Sequence, residues 1–191
     1  MSDNLDFSVV DTTENSNSGN KYLTPGVHPL KVSKVETGKS FAKQSPFVAI
    51  TVMNDSEETC TEEFYLNGGA FPISADRIAG LVASINNISK EEAKAKLVNA
   101  SINTDNIAEK LSPMMVGKKF GFIINGKHTT YTNAEGNTVS FIKSVFSNVS
   151  RPLARIGELK FNPEKNITGT PVVTTTEVKT EVKTEKPVAN W

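Results

Sequence analysis

The chain has 191 residues, one cysteine, two histidines, and 21 basic against 21 acidic side chains; that length suits one domain with tails, enough to bury a hydrophobic core. The lone Cys60 excludes an intramolecular disulfide framework and a cysteine metal cluster and fits a reducing cytoplasm, no apolar run nears the ~20 residues of a membrane span, and the opening MSDNLD lacks the basic and apolar regions of a secretory leader. The zero net charge is unevenly spread: residues 1–20 carry Asp3, Asp6, Asp11 and Glu14 and no cation, whereas 118–165 hold eight basic and three acidic groups, a net +5.

Residues 1–20, polar and acidic, read as a flexible arm, with Phe7, Val9 and Val10 as groups a partner would hold. Thr24-Pro25-Gly26 is a turn signal. A strand over 27–35 follows, with Leu30 and Val32 on one face and Pro29 marking an edge at its start. Residues 37–45 form a loop carrying Gly38, Lys39, Phe41 and Lys43. Over 46–53, Val48, Ile50 and Val52 alternate with Phe47, Ala49, Thr51 and Met53, the two-residue period of a strand. After a turn at 54–58, a third strand over 59–66 sets Cys60, Phe64 and Leu66 against Thr61, Glu63 and Tyr65. Glu62 falls in with the inward set, which implies a slipped register or an edge position.

Beyond Gly68-Gly69 the period changes. Ser74 is the expected cap of a helix whose apolar positions are Ile78, Leu81, Val82 and Ile85. Ser89 and Glu92 have capping-box spacing and start a second helix through about Val98. A third begins at Asn103 or Thr104, turns Ile107, Ala108 and Leu111 inward, and is expected to end at Pro113. Gly117 then leads into a β-hairpin. Phe120, Phe122 and Ile124 alternate on its first strand; Val139, Phe141, Lys143 and Val145 alternate with Ser140, Ile142, Ser144 and Phe146 on its second. The turn-rich 131–137 is the loop between them. Residues 149–165 are a mixed exit segment. From Asn166 the chain echoes Thr-Glu-Val-Lys, a low-complexity composition expected to be disordered, and reaches Trp191, which either plugs into a partner's pocket or hangs free.

Three strands, a helical insert and two strands is the order of the OB-fold, a five-stranded Greek-key barrel. The expected architecture is therefore mainly β: an OB-fold barrel over 21–165 with helices between strands three and four, flanked by the arm 1–20 and the disordered tail 166–191. Such a barrel binds on the face of strands two and three, between the loop after strand one and the loop between strands four and five. Here those parts are Phe47, Thr51 and Tyr65, the loop Lys39–Lys43, and the loop Lys127–Asn137. Cations and aromatic rings spread over a sheet are what a single nucleic-acid strand requires, and they are equally the contents of an ordinary half-buried hairpin.

The stretch Gly26-Val-His-Pro-Leu-Lys-Val-Ser-Lys-Val, the strand Pro46-Phe-Val-Ala-Ile-Thr-Val and the segment Val116-Gly-Lys-Lys-Phe120 before an Asn/Gly-rich hairpin resemble the small OB-fold single-stranded DNA-binding proteins encoded by bacteriophages. The resemblance covers about 22–150. It implies a non-catalytic protein that coats single strands during replication and recombination in the host cytoplasm. Proteins of that kind often recruit replication or recombination partners through an acidic tail tipped by an aromatic residue. Trp191 is present here, but the acidic residues lie at the other end of the chain.

On this reading Phe41, Phe47, Tyr65 and Tyr131 stack on bases, while Lys39, Lys43, Lys118, Lys127 and Lys143 neutralise phosphates. Phe64, Phe120, Phe122 and Phe141 are assigned to the core, because barrels this small fill with side chains. No enzyme is expected. His28 and His128 lie in no ligand-spaced cluster, Asp76, Glu91 and Glu92 fit helix starts, no glycine loop has phosphate-cradling spacing, and Cys60 reads as a buried, inert thiol. No cofactor is called for. A homo-oligomer is compatible with this reading. The competing reading is a virion or host-directed interaction protein on a similar β scaffold, its lysines serving solubility.

Overall fold

The computed structural model describes residues 22–134 and 136–170. Its first strand, β1 (Gly26–Lys39), is followed by β2 (Pro46–Met53) and β3 (Thr59–Tyr65). Three helices intervene: α1 (Ala70–Asn86), α2 (Lys90–Asn99) and α3 (Ile107–Met115). A long hairpin of β4 (Lys119–Thr132) and β5 (Thr138–Pro152) completes the main sheet. A 3₁₀ turn (Leu153–Glu158), the one-turn helix α4 (Pro163–Asn166) and the short strand β6 (Ile167–Thr168) follow. Asn166–Thr168, expected at the start of the disordered tail, thus belong to the folded part. The arm 1–20 and Trp191 lie outside the described residues.

The fold is mainly β, a six-stranded mixed sheet in the order β3-β2-β1-β4-β5, with β6 parallel to β4. β1 serves two partners. Gly26–Lys31 pair with β4 and Lys31–Lys39 pair with β2, with an irregularity at Ser33 within the β2 pairing. At Pro29 only the β4 side is occupied, so its missing N–H costs no ladder bond, as the edge reading required. The sheet does not close: no ladder joins β3 to β5, where the expected barrel has one.

The two edge strands nevertheless lie side by side and run in the same direction. The Cys60 thiol reaches the Ser144 carbonyl at 3.7 Å, and two residues further along both strands the Phe146 N–H donates to Glu62 Oε2 at 2.9 Å. Arg77 from α1 donates to Glu62 Oε1 (2.6 Å) and to the Phe146 carbonyl (3.3 Å). Side chains supply here the partners that a ladder would. At the open end the chain before β1 is drawn into the gap. The Leu23 N–H donates to the Thr59 carbonyl (3.1 Å), its own carbonyl accepts from Ser144 Oγ, and its side chain is buried.

Inside, Val48, Ile50, Val52 and Phe64 face Leu30, Val32, Phe120, Phe122 and Ile124. Phe64, Phe146, Phe122 and Phe120 form a chain of edge-to-face and tilted rings that crosses the gap between β3 and β5. The helices cover the remaining apolar surface with Ile78, Leu81, Val82, Ile85, Ile107, Leu111 and Met115.

Three helix ends differ from expectation. α3 begins at Ile107 rather than at Asn103 or Thr104, Asn103 Oδ1 instead closing a turn by accepting from the Asp105 and Asn106 N–H groups. α1 starts four residues before Ser74, which is buried in its second turn and does not cap it. α3 runs through Pro113 to Met115, because a proline in the last turn forfeits one bond only, and Ser112 Oγ bonds the Ala108 carbonyl beside it. The Ser89–Glu92 capping box forms in full. Among the described residues no helix is long and apolar enough to cross a membrane.

Candidate nucleic-acid interface

The outward face of β1-β2-β3 is set by the alternation in β2. With Val48, Ile50 and Val52 buried, Phe47, Ala49, Thr51 and Met53 point out. Register then fixes their neighbours. Gly38, Phe47 and Tyr65 form one row, Glu36, Ala49 and Glu63 the next, and Lys34, Thr51 and Thr61 the third. Phe47 and Tyr65 meet edge to face with centroids 6.0 Å apart. The Phe47 ring lies over Gly38 so closely that a Cβ there would stand 2.5 Å from it; glycine is what lets the ring flatten onto the sheet. Thr51 and Thr61 hydroxyls share a 2.8 Å hydrogen bond.

The middle row is acidic. Glu36 is paired with Lys34 at 2.7 Å, and Glu63 accepts the Tyr65 hydroxyl proton at 2.9 Å. That hydrogen bond to a carboxylate holds the Tyr65 phenol above its ordinary pKa, so the ring stays a neutral donor.

At one end of this face lies the loop after β1. It is closed by Ser40 N–H to the Ser45 carbonyl and Gln44 N–H to the Ser40 carbonyl, both 2.9 Å, with Gln44 in the left-handed region. Phe41 stands at its apex, 94% exposed, between exposed Lys39 and Lys43. Neither lysine has an ion-pair partner among the described residues.

At the other end lies the hairpin. The core takes Ile124 and Phe146, so the opposite face shows Lys127 against Lys143, Thr129 against Phe141, and Tyr131 against Val139. Tyr131 and Phe141 touch edge to face at 5.9 Å. Lys127 and Lys143 are directly opposed and both exposed, and among the described residues neither is ion-paired. An open groove of about 720 Å³ between β3 and β5, lined by Thr61, Glu63, Lys143, Val145 and Asn148, joins the hairpin's outer face to that of β3.

Lys39, Phe41, Lys43, Phe47, Tyr65, Lys127, Tyr131 and Lys143 thus belong to one outer surface and its two flanking loops. Lys118 does not: its ammonium donates to Asn86 Oδ1 (2.7 Å) at the end of α1, on the helical side. Phe141, assigned to the core, is instead 42% exposed on the same outer face as Lys143. Its parity with Lys143 is the sequence signal for that face. Tyr131 is a strand residue, since the hairpin's ladder runs out to Thr132 and Thr138. Phe64, Phe120 and Phe122 are buried as expected. Cys60 is buried too, its thiol pushed up to about 12 by burial and by the Glu62 charge. Among the described residues no three His, Cys, Asp or Glu side chains gather as a metal site would require. No protein-family model matches the chain, and no curated protein matches it in sequence.

Proposed function

We propose that this protein binds single-stranded DNA without sequence preference, as a phage-type coating protein in replication and recombination, and that its sheet is an OB-fold barrel whose last seam is made by side chains. Supporting the fold reading are the strand order, the helices between β3 and β4, and the parallel approach of β3 and β5. The observation that carries the function is the Lys127–Lys143 pair beside Tyr131 and Phe141. Like charges directly opposed across a ladder cost a few tenths of a kcal/mol or more. A phosphate lying over them turns that cost into attraction, and the adjacent rings each offer roughly 1–3 kcal/mol of base stacking. Bases then continue over Phe47 and Tyr65 toward Phe41. Glu36 and Glu63 keep phosphates off the middle of the face, so neutralisation falls to the two ends.

A labelled oligo-dT tests this. Micromolar or tighter binding is expected, steeply weakened by salt and preferring single over double strands. Lys127→Ala with Lys143→Ala should lower the slope of log K against log salt by about 1.4, since each phosphate contact on a single strand contributes about 0.7. Phe141→Ala should weaken binding by roughly 1–3 kcal/mol with little loss of stability. An unaltered protein that ignores oligonucleotides in dilute buffer sinks the reading. The second reading, an interaction protein, draws on one observation: an apolar groove of about 860 Å³ between α1, α2 and α3, with Phe71 and Val98 exposed at its rim.

A further inference from the structure

We infer that Glu63 makes the Phe47–Tyr65 pair a base-selective subsite, one that favours a nucleobase with an amino group opposite its sugar, cytosine or adenine, over thymine or uracil. The inference rests on the single-strand reading of this face and adds to it one position at which the base matters. Three observations converge on it.

The first is the shape of the pair. The Phe47 ring lies over Gly38, where a Cβ would stand 2.5 Å from it, and so forms a floor along the sheet. The Tyr65 ring meets it at 69° and stands beside it as a wall. A base stacked on the floor is stopped by Tyr65 on one side. In the next row Ala49 is small enough for the edge of that base to run out over it, between Glu36 and Glu63. Rows on one face are two residues apart, about 6.5–7 Å, and Glu63 leans back across that spacing, because its Oε2 accepts from the Tyr65 hydroxyl at 2.9 Å.

The second is an unused acceptor. Tyr65 holds Oε2 and thereby orients the carboxylate, whereas Glu63 Oε1 has no hydrogen-bond or ion-pair partner among the described residues. Glu36, in the same row, is instead neutralised by Lys34 at 2.7 Å. One oriented carboxylate oxygen accepts an amino N–H and repels a carbonyl oxygen. Cytosine offers N4–H and adenine N6–H at the place where thymine and uracil carry O4.

The third is the polarity of the surroundings. Lys39, whose partner Pro46 adjoins Phe47, and Lys43 stand exposed on the loop side of the floor, and neither is ion-paired among the described residues. The carboxylates stand on the other side. A nucleotide has the same polarity, with phosphate at one end and base edge at the other. Phosphate drawn to the lysines turns the base edge toward Glu63. The other contacts of the strand are indifferent to sequence, so a mixed strand still binds, in the register that sets an amino-bearing base on Phe47.

The test uses the full chain and short labelled oligo-dC and oligo-dU, which differ at the amino group without the thymine methyl. At neutral pH oligo-dC should bind about three- to ten-fold more tightly, the effect of one solvent-exposed hydrogen bond to a charged acceptor. Glu63→Gln keeps an amide oxygen for Tyr65 and turns an amide N–H toward the base, so the preference should vanish or invert. Glu36→Gln removes the same charge from the same row; it should raise both affinities alike and leave their ratio standing. A general charge effect moves both oligonucleotides equally, so the ratio reports the edge contact alone. Equal binding of oligo-dC and oligo-dU by the unaltered protein overturns the inference and leaves single-strand binding intact. A preference that survives Glu63→Gln, or that Glu36→Gln abolishes equally, overturns it too. Failure to bind either oligonucleotide sinks the strand-binding function and the subsite with it.

Discussion

Glu62 puts a carboxylate on the inner side of an edge strand, and both its oxygens are used. Oε1 receives Arg77, whose guanidinium also lies 5.0 Å from the Phe64 ring centroid, and Oε2 receives the Phe146 N–H. Replacing Glu62 by Ala leaves the Phe146 N–H without its acceptor and the charged guanidinium with the Phe146 carbonyl but no counter-charge. Urea unfolding should show a loss of about 2 kcal/mol, less than for a wholly enclosed pair because both side chains keep some solvent contact. Glu62→Gln keeps the acceptor for Phe146 and should cost less; equal losses would mean that charge alone matters. This residue was visible in the sequence as a polarity error on the Cys60–Phe64 face, and of the two readings that error allowed, the edge position is the one adopted. Its neighbour Cys60 reports on the same gap. With its thiol pushed up to about 12, a thiol reagent at pH 8 should leave the native protein unmodified for hours and react at once in urea. Reaction of the native protein within minutes would mean that β3 and β5 part readily.

Among the elements, β2 and α2 were the most legible. In β2 a strict alternation meets burial on one face only. In α2 the Ser89–Glu92 box satisfies two orphan donors at once, although the helix buries little beyond Ala93. The Ser89 backbone N–H, with the hydroxyl contact, holds the Glu92 carboxyl below its ordinary 4.5. A lowered folded-state pKa means that the contribution is complete above that ordinary value and is lost as pH falls through the lowered one. Glu92→Gln should therefore flatten the decline of stability below about pH 4.5 while changing little at pH 7 beyond the helix dipole term, as thermal melts across pH would record. A parallel decline in both proteins would remove Glu92 from the account. The hairpin was less legible. Its apolar pattern stops at Asn125, where the strand leaves the core, yet β4 continues through Thr129, Thr130 and Thr132. Those β-branched residues hold the ribbon by pairing with β5 alone, a signal that hydrophobic periodicity does not read. α3 defied Pro113 for a comparable reason: a rule about helix interiors loses force in the last turn.

At the scale of the whole molecule, the order of strands and helices was readable and the side-chain contacts that bring β3 beside β5 were not. That approach depends on Glu62, Arg77, Cys60 and Leu23 meeting Ser144 and Phe146 from distant parts of the chain, and no local pattern announces such meetings. The candidate surface shared this fate in part. Its loops and the Phe47–Tyr65 row follow from strand order and register, whereas the opposition of Lys127 and Lys143 appears only once β4 and β5 are paired. Leu23 carries a kinetic consequence. Its slot is built by Thr59 and by Ser144, the latter 121 residues away along the chain, so the residue has nowhere to sit until the hairpin has docked. It is then seated after the rate-limiting step, acting as a latch rather than a nucleus. Leu23→Ala should quicken unfolding several-fold and leave the refolding rate nearly untouched, and stopped-flow traces showing slowed refolding instead would make the latch an early organiser of the fold.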